Sequence, residues 1–394
     1  MCIDITKKYA RVAISLIIIF SIVFISVLKG SVCANESVNA ANIEILAPAA
    51  VLMEPKTGRV LFEKNSHEVR CCASITKVMT MILVMEALDS GKISLQDTVS
   101  TSEHAASMGG SDIWLKPGET MTVDELIKAV MVASANDAAV ALAEHVCGSE
   151  DLFVSEMNRK AKELSMDETV FKNCNGLDEE GHVTSAYDVA LMSRELIKHK
   201  KIFDYTSIWM DYLRDGKTQL VNTNKLLKSY KGITGLKTGT TSQAGSCITA
   251  TATRENLTLN AVVLGGVNGK ERFKDAAALM DFGFANYNML KPVVDESIFV
   301  PVRVIDGMQP SVAVEADIAN EVLVPKGKEH SIDSSMEIAD ETSAPVQKGQ
   351  SLGRLIYKLG DEIVAEYDIV AAEGVEKINF GAVFKILLMD FLRI

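Results

Sequence analysis

The chain has 394 residues, 48% hydrophobic and 23% charged. That is material for two or three domains of ~100–200 residues, and it excludes a disordered chain. With 25 Gly and 8 Pro, fibrous and low-complexity classes are excluded, and a formal net charge of −12 without a basic cluster excludes a general nucleic-acid partner.

Residues 1–34 read as a secretory signal peptide. Lys7, Lys8 and Arg11 precede an uncharged apolar run from Val12 to Leu28, and Val32-Cys33-Ala34 offers a cleavage site before Asn35. The alternative is an uncleaved membrane anchor, because 17 apolar residues lie near the lower limit for a span. Either way the remainder is expected to be exported and extracytoplasmic. Residues 35–46 are polar and small, as in a linker. Ala49–Met53 and Val60–Phe62 flank a turn containing Pro55 and Gly58, the pattern of a β-hairpin.

From Ile75 to Leu88 the only charges are Lys77 and Glu86, so a helix here is buried on all sides. Thr122-Val123-Asp124-Glu125 fits a capping box opening a helix that runs to about Ala133. The pattern breaks at Ser134-Ala135-Asn136 and resumes over Asp137–Val146, stopped by Gly148. Asp151–Leu164 and Ala186–Ile197 are also helical. Gly232–Thr240, Gly245–Ala252 and Leu257–Leu264 read as strands, and Arg272–Tyr287 as a helix. The fold class is α+β: helices inserted in, and packed on, an antiparallel sheet, spanning residues 47–290. Short β-type runs at Ser297–Val304, Glu321–Val324, Ser351–Leu359 and Glu362–Val370 suggest a small all-β domain over 291–376. Within 377–394, Phe380, Val383, Phe384, Leu387, Leu388 and Phe391 share one helical face, suited to a membrane surface or to packing on its own domain.

Of seven cysteines, Cys2 and Cys33 lie in the signal segment, leaving Cys71, Cys72, Cys147, Cys174 and Cys247. No CxxC pair or Cys/His spacing calls for a metal, and no cofactor motif is present.

The chemistry is carried by three short motifs. Ser74-Ile75-Thr76-Lys77 opens the buried helix, where positions i and i+3 share a face, so the hydroxyl and the amine meet. A serine in a first turn also lies near unpaired N–H groups and the positive end of the helix dipole. Burial lowers the pKa of Lys77, as a base working near neutral pH requires. Ser134-Ala135-Asn136 occupies the helix junction and Lys237-Thr238-Gly239 a strand, where the glycine is expected to let a ligand backbone approach the strand edge. Ser26…Lys29, Ser37…Asn39 and Lys56-Thr57-Gly58 match the same patterns but fall in the signal, the linker and a hairpin turn.

These motifs, in this order, make the chain resemble the penicillin-binding, serine-type D-alanyl-D-alanine carboxypeptidases of low molecular mass. Ala73–Thr80, Asn175-Gly176-Leu177, Gly181-His182, Thr184-Ser185-Ala186, Asp188 and Gly235–Gly239 also fit. The likeness covers about residues 45–290 and is looser beyond. It implies a β-lactamase/transpeptidase-like domain, a small β-domain and a terminal amphipathic helix at the membrane surface. It implies Ser74 as nucleophile, Lys77 as base and Ser134 as proton relay beside Lys237. Asn136 is expected to hold the substrate amide, Thr238 and Arg272 the terminal carboxylate, and the N–H groups of Ser74 and of Thr240, after Gly239, the oxyanion. The expected partners are the peptidoglycan pentapeptide ending in D-Ala-D-Ala and β-lactam antibiotics. A serine β-lactamase and a non-catalytic wall-binding protein are the alternatives; the former lacks a reason for the residues after Pro292, the latter for a complete motif set. His182 is either functional or a brace for its loop. Cys71-Cys72 stand where members of the family often carry prolines.

Overall fold

The structure, a computed structural model, describes residues 43–292, 294, 298–318 and 321–392. The signal segment and the linker up to residue 42 lie outside the described residues. Strands β1 (Ala49–Glu54) and β2 (Arg59–Lys64) form the expected hairpin. Its turn is tied by the buried Glu54 carboxylate, which accepts the N–H groups of Lys56 and Thr57 at 2.8 and 2.7 Å. The Lys-Thr-Gly of this turn is therefore a turn device.

A short 3₁₀ turn, Ala73–Thr76, leads into helix α1 (Lys77–Asp89), buried nearly throughout. A ribbon of β3 (Thr98–Ser100) and β4 (Thr120–Thr122) precedes α2 (Val123–Lys128), whose capping box at Thr122 and Glu125 is formed in both directions. A π-helical turn, Ala129–Ala133, then α3 (Asn136–Cys147), α4 (Glu150–Glu163) and α5 (Ala186–Leu196) follow, with shorter helical turns between elements. A second ribbon pairs β5 (Met210–Leu213) with β6 (Thr218–Val221). Then come β7 (Ile233–Thr241), β8 (Gly245–Arg254), β9 (Leu257–Gly266) and α6 (Gly269–Asn286).

The central sheet is antiparallel, in the order β2-β1-β9-β8-β7. Because side chains alternate along a strand, β1 serves two cores. Ala49, Val51 and Met53 face the helical layer around α1, whereas Ala50 and Leu52 face the layer formed by α6. The strand β7 lies at one edge of this sheet, against the turn that carries Ser74.

The helix read through Tyr287 ends at Asn286, and Tyr287–Leu290 is instead a strand, β10. The β-rich region continues with β11 (Val302–Ile305), β12 (Ser311–Val312), β13 (Val314–Ala316), β14 (Val322–Pro325), β15 (Ile332–Ile338), β16 (Glu341–Ser343), β17 (Ser351–Leu359) and β18 (Glu362–Ala371). Strand β10 pairs with β14, which stitches this region to the first. Leu323 of β14 joins the α6 core, and Val322 and Val324 join the core of the β-region. Last comes α7 (Phe380–Leu392). Among the described residues, no helix is long and apolar enough to cross a membrane.

Candidate active site

Three separate stretches converge at the edge strand. Ser74 sits in the turn before α1, half-buried, one helical turn from Lys77. The Lys77 side chain is wholly buried, and Nζ lies 3.0 Å from Ser74 Oγ, 2.5 Å from Asn136 Oδ1 and 2.5 Å from the Asn175 carbonyl oxygen. Burial pulls its pKa from 10.5 down to about 7. A neutral amine has two N–H groups and one lone pair. Asn136 and Asn175 accept the two N–H groups, so the lone pair is left for the Ser74 hydroxyl proton.

The second pair is built on the π-helical turn, which ends in Ser134 at φ +64° before Ala135 returns to extended backbone. That excursion interrupts the helix and presents the hydroxyl sideways. Lys237 Nζ on β7 reaches Ser134 Oγ at 2.8 Å and the Thr238 carbonyl oxygen at 2.9 Å. Burial, with the charges of Lys77 and Arg272 close by, holds the Lys237 amine well below its ordinary value.

The close approach of β7 to the turn that carries Ser74 depends on Gly239. A Cβ there would lie 2.7 Å from the Cys72 carbonyl oxygen and 3.0 Å from the Ser74 nitrogen. The glycine thus accommodates the protein's own Ser74 turn, where a ligand backbone was expected, and so brings the Ser74 N–H beside the strand. Gly176 closes the turn from the other side: its φ is +85°, and a Cβ would lie 2.1 Å from the Ala73 carbonyl oxygen.

Asn136, the first residue of α3, donates from Nδ2 to the Gly109 carbonyl at 2.6 Å, while its backbone N–H donates to Ser111 at 2.7 Å. Its buried neighbour Asp137 accepts the Leu115 N–H at 2.9 Å and the Ile113 N–H at 3.2 Å. The loop from Gly109 to Leu115 is thus fastened to the base of the site. Thr238 Oγ1 donates to Thr223 Oγ1 at 2.6 Å. Arg272 is buried, and its Nη1 donates to Gly239 O at 2.8 Å and Thr240 Oγ1 at 2.7 Å. From α6 it braces the end of the strand that carries Thr238, Gly239 and Thr240.

His182 is a brace. The Lys172 N–H donates to Nδ1 at 3.1 Å, which assigns the ring proton to Nε2; this nitrogen donates to Thr76 Oγ1 at 2.8 Å. Thr76 in turn donates to the Ala73 carbonyl at 2.9 Å. Burial lowers the His182 pKa to about 4, so the ring stays neutral and holds the Ala73–Thr76 turn against its loop. Cys72 is buried and its thiol is pushed up to about 12 by burial, which makes it inert beside Ser74. Five described cysteines are free thiols.

The residue positions 74, 77, 134, 136, 237, 238, 239, 240 and 272 therefore gather in one region. Sequence motifs did not disclose the carbonyl of Asn175 as a partner of Lys77, because any residue type supplies a carbonyl. Thr223 and the Gly109–Leu115 loop were also missed, because neither carries a pattern of its own.

Comparison with known proteins agrees with this geometry. Residues 35–268 match the D-alanyl-D-alanine carboxypeptidase family (Peptidase S11), and residues 287–377 match the C-terminal domain of penicillin-binding protein 5. The chain is 45% identical over 351 residues to the D-alanyl-D-alanine carboxypeptidase DacF of Bacillus subtilis, covering 88% of this chain and 90% of that protein. It is 34% identical over 367 residues to DacC of Escherichia coli, covering 91% of each. Penicillin-binding protein 5 from Haemophilus influenzae superposes with a TM-score of 0.77 at 31% identity, over 85% of this chain and 99% of that one. Motif order, paired serines and lysines, and similarity along most of the chain together establish that this protein belongs to the serine-type D-alanyl-D-alanine carboxypeptidases.

Proposed function

We propose that the D-Ala-D-Ala carboxypeptidase reaction on peptidoglycan stems runs through an acyl-enzyme on Ser74. Ser74 Oγ attacks the carbonyl carbon of the penultimate D-alanine as Lys77 takes the hydroxyl proton. The oxyanion is held by the N–H groups of Ser74 and Thr240, which Gly239 allows to lie close together. When the tetrahedral intermediate collapses, the C–N bond breaks and the terminal D-alanine leaves. The proton that Lys77 took passes through Ser134, beside Lys237, to the nitrogen of that D-alanine, which leaves Lys77 neutral again. Water then attacks the ester as Lys77 takes its proton; the ester C–O bond breaks, that proton returns to Ser74 Oγ, and the shortened peptide leaves as its carboxylate after losing its own proton to solvent. The substrate amide is assigned to Asn136, whose Nδ2 exchanges the Gly109 carbonyl for substrate while Oδ1 stays on Lys77, and the terminal carboxylate to Thr238 and Arg272, once substrate displaces the contacts these two make with the protein.

The observation that carries this reading is the pair of buried lysines, each within 3.0 Å of a serine hydroxyl, with burial lowering both amines. A β-lactam amide presents the same carbonyl in a strained ring. The test is intact-mass analysis after incubation with benzylpenicillin, followed by peptide mapping. A single penicilloyl adduct on Ser74, absent from Ser74→Ala, is expected; an adduct on another residue would overturn the assignment.

We place the enzyme outside the cytoplasmic membrane, with residues 1–34 as its export signal. The support for surface attachment is α7, on which Phe380, Phe384, Leu387, Leu388 and Phe391 are all exposed. An apolar helical face of this kind lies in the interface of a bilayer. An enzyme held there meets a substrate fixed in the adjoining wall at raised effective concentration.

A further inference from the structure

The far end of the nucleophile helix carries a second constellation that the reaction does not use. Glu86 lies in the last turn of α1 and Glu195 in the last turn of α5; His199 follows Glu195 by four residues. Each offers one ligand atom, and the three atoms lie within 4.8 Å of one another. The imidazole is only 13% exposed. Its Nδ1 lies 2.5 Å from Asp89 Oδ2, which assigns the ring proton to that nitrogen. Nε2 is buried and has no hydrogen-bond partner. A buried imidazole nitrogen left without a partner is unfavourable unless a proton donor or a cation reaches it.

We propose that Glu86, Glu195 and His199 bind one divalent transition ion of the zinc type. Imidazole with two carboxylates suits such an ion better than magnesium or calcium, which take all-oxygen shells. With bonds of ~2.0–2.2 Å, tetrahedral ligand atoms stand about 3.4 Å apart, so the site closes by small side-chain rotations. Glu86 and Glu195 are 32% and 19% exposed and have room to make them. The outer shell is already in place. Asp89 orients the imidazole, Lys160 lies 2.7 Å from Glu86 Oε1, and Lys198 lies 2.5 Å from Glu195 Oε2. The C-terminal ends of α1 and α5, both negative ends of helix dipoles, also meet here. Water completes the fourth position. Nine residues of helix separate Lys77 from Glu86, or about 14 Å at the helical rise, so the ion ties two helices together and takes no part in the reaction.

The experiment uses the untagged, chelator-stripped chain, dialysed against Zn²⁺ and then assayed for bound metal and thermal stability. One zinc per chain, a rise in Tm, and a tetrahedral d–d spectrum on Co²⁺ substitution are expected. His199→Ala and Glu195→Gln should each abolish retention, and Asp89→Asn should weaken it about 10- to 100-fold. Penicillin acylation should be unchanged in all three, which also shows that they fold. Failure of the parent chain to retain stoichiometric zinc, or equal retention by His199→Ala and Glu195→Gln, would overturn the site.

Discussion

At the scale of single residues, two lysines with the same formal chemistry are set apart by their acceptors. Lys77 faces two carbonyl-type oxygens and one hydroxyl, while Lys237 faces one hydroxyl and one carbonyl. With its pKa drawn down to about 7, Lys77 suits the role of base proposed for it. The sign follows directly. Below that value the amine is protonated and its lone pair is occupied, so Ser74 keeps its proton. The rate of acylation by benzylpenicillin should rise with pH along a limb with an apparent pKa near 7, dropping about tenfold per unit below it. Lys77→Arg retains a cation but supplies no base at accessible pH, so acylation should slow by about 10²–10⁴-fold. Stopped-flow or mass-resolved acylation across pH 5–9 measures both; a flat profile would remove Lys77 from the role.

Among the elements, the turn Ala73–Thr76 is held on three sides. Gly239 of β7, Gly176 of the neighbouring loop, and the chain from His182 through Thr76 to the Ala73 carbonyl all press on it. Ala73 itself takes φ +51°, so the turn is fixed by its surroundings and not by local preference alone. Gly239→Ala would drive a Cβ against the Cys72 carbonyl and push β7 away from the Ser74 N–H. The expected result is acylation slowed by about 10²–10³-fold, the scale of losing one oxyanion donor. Far-UV circular dichroism should remain that of the parent. Wild-type acylation by this variant would show that the closeness of strand and turn is unimportant.

On the scale of the whole molecule, a two-core catalytic region passes through β10 and β14 into a β-rich region, with Arg59 of β2 and Glu362 of β18 joined at 2.9 Å. The terminal helix adds an exposed apolar face with Phe380 and Phe391 at 85% and 86% exposure. If this face lies on lipid, replacing Phe384 and Leu388 by glutamate should release the protein from anionic and zwitterionic vesicles alike. Soluble-substrate turnover should be unaffected. Vesicle flotation checks this, and undiminished flotation of the double variant would sink the membrane role of α7.

The linear chain determined the elements whose signals are local. The capping box at Thr122, the all-apolar helix around Lys77, the β1–β2 hairpin and the three motifs were legible because period, cap and turn chemistry lie within a few adjacent residues. Strand β15 escaped notice because the exposed Ser334 interrupts the half-buried face of Ile332, Met336 and Ile338, leaving too short an apolar alternation to read. Strand β10 went unread, its first residue Tyr287 being taken as the end of a helix, because Tyr287–Leu290 is short and its pairing with β14 spans more than thirty residues of chain. Only tertiary structure decided that Asn175 offers a carbonyl to Lys77, that Gly239 makes room for a turn more than 160 residues away, and that Glu86 meets Glu195 and His199. Backbone groups are the same at every residue, and contacts between distant positions leave no local pattern. Their geometry exists only once two buried layers have packed against the sheet.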